Sequence, residues 1–176
     1  MNDRSRVIAC FREAGFQMDK NRYEHRLIAQ KMIWLLKLKG IPFEYPFGLY
    51  VRGPYSPALA LEYYRYPSDF LEARSDVSLT SEESGYVSQV GELFGKSPSL
   101  LEIGATYGYL AYQAHYPPEV AYRLVKSMKS FYRNDQIVKG VNKAKQYLFT
   151  PADEDVMVLE GELRQWQWAG IRSMRH

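Results

Sequence analysis

Residues 53–57 read Gly-Pro-Tyr-Ser-Pro, and few other pentapeptides leave a chain so little choice. Gly53 allows a positive φ, Pro54 fixes φ at the next residue, and together they turn the backbone sharply. Ser56 is placed to cap a helix whose first residue is Pro57, where the missing N–H is harmless. The preceding run, "IPFEYPFGLYVR", is aromatic and β-branched, but Pro42 and Pro46 each remove a backbone donor. It therefore reads as a short irregular β-hairpin near residues 41–51, with no place for a central strand. The corner thus couples a two-stranded element to a helix and presents Arg52 and Tyr55 at the junction.

The rest of the chain reads as helices. One is predicted from about Ser5 to Ala14, stopped at Gly15. A second runs from Tyr23 to Lys39, and its apolar residues cover more than one face, so it should be the buried central helix. "TSEE" at Thr80–Glu83 and "SLLE" at Ser99–Glu102 have capping-box spacing and open two more. The second of these contains Gly104 and Gly108, each costing about 1 kcal/mol relative to alanine, a cost that close approach of another helix offsets. Pro117 and Pro118 start a helix to about Phe131, Asn134 caps one to about Leu148, and a last helix covers about 152–171. With 46% hydrophobic and 24% charged residues in 176, this is a single globular domain. The expected fold is mainly α, a compact bundle of about six to eight helices carrying the hairpin.

Composition narrows the chemistry. No apolar run reaches the roughly 18 residues of a membrane span, and the first residues lack the apolar stretch of a secretory signal. The one cysteine, Cys10, excludes an internal disulfide and suits the cytoplasm. His25, His115 and His176 have no partners at ligand spacing, so no metal and no cofactor is expected. There is neither a phosphate loop nor a nucleophile elbow. The acidic pairs Glu82–Glu83 and Asp153–Asp155 fall in first turns of helices, where they complement the dipole. No catalytic residue is assigned, and the chain is read as a non-enzyme.

Three blocks carry a resemblance. "LIAQKMIWLLKLKGIPFEYPFGLYVRGPYSPAL" resembles the opening of a family of small prokaryotic proteins called YwgA-like, related to the Panacea (SocA-like) antitoxin domain. "LLEIGATYGYLAY" resembles its second block through Glu102, Ala105, Thr106, Tyr109 and Leu110, and residues 120–148 its helical close. The likeness spans about residues 23–149. It implies a compact helical protein that neutralises a toxin encoded beside it by direct contact, with no shared catalytic residues.

The expectation is therefore an interaction module, an antitoxin or a defence-associated (phage-defence) accessory subunit whose partner is a toxin or nuclease encoded nearby. Tyrosine, tryptophan and arginine are favoured anchors, and the chain holds 15 tyrosines. The candidate partner-binding residues are Arg52, Tyr55, Tyr63, Tyr64, Trp166 and Trp168, with Gly53, Pro54, Ser56 and Pro57 as the structural corner. The alternative is a helix-turn-helix-like nucleic-acid-binding regulator. Residues 118–149 carry seven basic against two acidic side chains, and Lys126, Lys129, Lys139, Lys143 and Lys145 are expected to share an exposed positive surface.

Overall fold

A computed structural model describes residues 3–150 together with Met157, Gly161 and Arg164. The helix expected over 152–171, with Trp166, Trp168 and Asp153–Asp155, lies outside the described residues. Helix α2 (Tyr23–Lys39) forms where predicted: every residue from Leu27 to Leu36 is buried, Gln30 and Lys31 included. Gly40, at φ 127°, ends it and donates to the carbonyls of Leu36 and Lys37. Helix α1 (Asp3–Glu13) buries Val7–Phe11, Cys10 among them. The thiol's pKa is pushed up to about 12, chiefly by burial.

Between α2 and the corner the hairpin is shorter and later than expected. Strands β1 (Gly48–Tyr50) and β2 (Gly53–Tyr55) pair antiparallel, with Gly48 opposite Tyr55, Leu49 opposite Pro54 and Tyr50 opposite Gly53. Residues 41–47 alternate between buried Ile41, Phe43 and Tyr45 and exposed Pro42, Glu44 and Pro46, yet they join no ladder. The two prolines remove donors, and Lys37 Nζ takes up the carbonyls of Phe43 and Tyr45 at 2.8 and 2.7 Å.

Short helices α3 (Pro57–Arg65) and α4 (Pro67–Leu71) lead to α5 (Ser81–Phe94). The α5 capping box forms as predicted, with Glu83 N–H donating to Thr80 Oγ1 at 3.2 Å and Thr80 N–H to Glu83 Oε2 at 2.9 Å. The second box does not form. The cap of helix α6 (Pro98–Gly108) lies two residues earlier than expected, at Ser97 and not Ser99, because Ser97 is followed by Pro98, and Glu102 is buried inside. A π-helical turn (Tyr109–Gln113) prolongs α6. Helix α7 (Pro118–Met128) ends before Phe131, and α8 (Asn134–Leu148) begins at Asn134, with Arg133 as its cap residue. Eight α-helices and one hairpin make the described residues mainly helical.

Helix α6 is the second axis of the bundle, buried from Leu101 to Gly108. Its glycines do what their cost required. A Cβ on Gly104 would lie 2.5 Å from Phe94 Cε1 of α5 and 3.3 Å from the Gly140 carbonyl of α8. One on Gly108 would lie 2.9 Å from Leu38 of α2. Trp34 of α2 donates to the Ala105 carbonyl at 3.1 Å, fastening the two axes together. The buried side chains form one cluster running from Val7 to Leu148. Among the described residues no helix is long and apolar enough to cross a membrane.

Candidate functional site

The corner sits where β2 passes over α2 and α6. Gly53 has φ 86°, and a Cβ there would fall 2.5 Å from Thr106 Oγ1 and 3.7 Å from both the Glu102 carbonyl and Lys31 Cε. Glycine is required twice over, by the dihedral and by the space. The next residues are fixed by side chains of α2. Lys31 Nζ donates to the Pro54 carbonyl at 2.6 Å. Gln30 grips Ser56 in both directions: Oε1 accepts from Ser56 N–H at 2.8 Å, and Nε2 donates to its carbonyl at 3.0 Å. Ser56 Oγ in turn accepts from Leu59 N–H at 3.3 Å, the predicted cap of α3.

Beneath the hairpin tip lies a buried charge cluster that the sequence did not announce. Glu102 is 0% exposed. Its Oε1 accepts from Lys129 Nζ at 2.8 Å, and its Oε2 meets Arg52 Nη2 at 2.8 Å and the Tyr132 hydroxyl at 3.0 Å. Lys129, also 0% exposed, donates a second bond to the Val51 carbonyl at 2.9 Å. Buried charges persist only where each is paired and hydrogen-bonded, and here the pairing joins α6, α7's end and the hairpin. Lys31 stands close enough to feel this cluster. Burial lowers its pKa to about 7, an effect the Glu102 carboxylate opposes and Lys129 and Arg52 reinforce. Tyr132 is pushed up to about 12 by burial and by the Glu102 charge.

On the solvent side of the corner is a cleft of about 360 Å³. Its walls carry five tyrosines (Tyr23, Tyr50, Tyr55, Tyr63, Tyr64) and three cationic side chains (Arg26, Lys31, Arg52), with no carboxylate among its lining residues. A wider depression of about 570 Å³ near His25 involves Arg12 and Lys96, but both are spent on structure, Arg12 on the Ser75 and Val77 carbonyls and Lys96 on that of Gly15. The corner cleft is the better-founded candidate because buried bonds hold its walls.

The structure brings together Arg52, Tyr55, Tyr63 and Tyr64 of the predicted anchors in this cleft. Tyr64 is 50% exposed, and Arg52 and Tyr55 reach solvent in part. Tyr63 is corrected: only 1% exposed, it packs edge-on against Phe70 and meets Gln30 through its hydroxyl, so it is floor and not anchor. Adjacent helical residues point about 100° apart, which is why Tyr63 and Tyr64 divide the two roles. Lys129 is likewise corrected, since it turns inward to Glu102 and leaves the expected positive surface. Lys126, Lys139 and Lys145 are exposed and Lys143 is half-buried. Tyr23, Tyr50, Arg26 and Lys31 were missed. Lys31 had a signal: it stands four residues after Leu27 and four before Leu35, a lone charge in an apolar column of a helix.

Among the described residues no group of three or more His, Cys, Asp or Glu side chains is arranged to hold a metal ion. Comparison with family models, with curated proteins and with solved structures finds no match to this chain.

Proposed function

We propose that this protein is a non-catalytic binding module that holds a partner protein at the cleft beside its Gly53–Pro57 corner. The observation that carries this reading is the pairing of an open tyrosine- and arginine-lined cleft with a buried scaffold that fixes it. Rigid aromatic and arginine side chains are the groups that dominate binding energy at interfaces, and preorganisation spares the ordering cost of association. The resemblance of three sequence blocks to Panacea-type proteins adds to this proposal an antitoxin or defence-associated role in which the partner is a toxin or nuclease.

The test is co-expression with the product of the adjacent gene, followed by pull-down and affinity measurement. Alanine at Tyr50, Tyr55 or Tyr64 should weaken binding about thirtyfold at a true anchor, the equivalent of about 2 kcal/mol. Lys126→Glu and Lys139→Glu serve as controls and should leave it unchanged. Loss of binding only in the lysine variants would move the interface to the basic segment. Turnover of a substrate by the purified chain, abolished by one acidic or histidine substitution, would end the reading altogether.

A further inference from the structure

Charge distribution says more about the occupant of the cleft. No carboxylate is among the described residues lining the cleft, and Glu102, beneath the hairpin tip, is already engaged by Lys129, Arg52 and Tyr132. Lys31, 2% exposed, has one hydrogen-bond acceptor, the Pro54 carbonyl, so one N–H of the neutral amine, or two of the ammonium that a bound anion would favour, have no protein acceptor among the described residues. Arg26 spends one bond on the Lys20 carbonyl and lies 5.6 Å from the Tyr23 ring centroid at the rim. The cleft therefore offers an excess of positive charge at its base and aromatic walls above it. An apolar body alone would leave the ammonium unanswered, and an anion alone would leave the rings unused.

We infer that the cleft takes the C-terminal residue of its partner, an apolar side chain in the tyrosine walls with the terminal carboxylate directed to Lys31, Arg26 and Arg52. A C-terminal leucine or phenylalanine is the peptide unit that carries both features on one Cα, and capture of a terminal carboxylate is an established mode of peptide recognition. A volume of about 360 Å³ suits one bulky residue and part of the next. The carboxylate supplies the counter-charge the cluster lacks, in a site where arginine and lysine donate charge-assisted bonds. This inference deepens the binding-module reading and rests on it.

The experiment uses the full chain and fluorescein-labelled pentapeptides ending Ser-Leu-Phe, as free acid and as C-terminal amide, read by fluorescence anisotropy. The free acid should bind at least about tenfold more tightly than the amide, and Arg26→Ala should weaken the acid about tenfold while leaving the amide unchanged. Lys31→Met should do the same, and Arg26, only half-buried at the rim, keeps the test decisive if the buried substitution unfolds the chain. 3-Phenylpropionate in competition separates the sources of this chemistry. It should displace the peptide only at concentrations well above the peptide's own Kd; displacement at equal concentration would overturn the peptide terminus in favour of a small aryl acid. Equal binding of acid and amide, or no saturable binding of the acid up to about 10 mM, would overturn the inference outright. If alanine at the cleft tyrosines abolishes capture of the partner while amidating the partner's C-terminus changes nothing, this inference fails and the binding-module reading stands.

Discussion

Replacing Glu102 by glutamine keeps the shape of the side chain and removes its charge from a site where it is 0% exposed. Lys129, equally buried, would keep its bond to the Val51 carbonyl but lose the counter-charge 2.8 Å away. Arg52, partly in solvent, can be rehydrated, so the cost falls mainly on Lys129. Removing one partner of a buried pair destabilises by about 3–5 kcal/mol, a large share of the roughly 5–15 kcal/mol that holds a domain of this size. Urea unfolding should show the midpoint falling by about 2 M with the slope unchanged, for a slope near 2 kcal/mol per M. Lys129→Met alone leaves the carboxylate with Arg52 and Tyr132 and should cost less, about 1–3 kcal/mol. The double variant should recover much of the Glu102→Gln loss, giving a coupling energy of at least about 2 kcal/mol. A Glu102→Gln cost below about 1 kcal/mol, or strict additivity of the two changes, would refute the claim that this ion pair is what secures the hairpin tip.

Gly53→Ala should destabilise by about 1–3 kcal/mol from its positive φ and its contact with Thr106; adding Thr106→Ala should recover part, and no recovery in a melting measurement would dismiss the contact. Gly104→Ala should cost about 1–3 kcal/mol by pressing on Phe94, and Phe94→Leu in the same background should relieve it; an unchanged midpoint would mean α5 yields freely. Lys31 gives a pH dependence. The unfolded chain holds that proton to about pH 10.4 while the folded one releases it near pH 7, so the unfolded state binds more protons between them. Stability from this group therefore rises with pH across that window, by up to about 1.4 kcal/mol per pH unit, and Lys31→Met should lack the rise; parallel stability curves for the two proteins would contradict it.

What the sequence disclosed and what it withheld divide along a physical line. Gly53, Ser56, Pro57, Gly40 and the Thr80–Glu83 box were legible because turn and cap chemistry is settled within a few residues. The small face of α6 was legible because glycine in a helix has a cost that needs an offset. The Ser99–Glu102 box failed because Ser97–Pro98 is a stronger start, a local competition decided by two residues upstream. The fates of Lys31, Glu102 and Lys129 were not legible, since they depend on which helix faces meet: the Glu102–Lys129 bond spans 27 residues of chain and the Lys31–Pro54 bond 23. The warning was only that charges stood in apolar company. Of the cleft, the sequence offered the residues of the corner and α3, but not those of α2 that face them.

The double grip of Gln30 on Ser56 has a kinetic consequence. A side-chain amide that pairs with a main-chain N–H and C=O together imitates a neighbouring strand, so the outer edge of the corner is closed from the core side. The Ser56 amide hydrogen should exchange with solvent only when α2 itself opens, on the timescale of Leu35 and Leu36, while those of Val51 and Arg52 at the hairpin tip exchange early. One wall of a surface cleft thus has the lifetime of the protein interior. If a partner binds there as proposed, it need not wait for that wall to form, and its on-rate should be set by diffusion, orientation and charge.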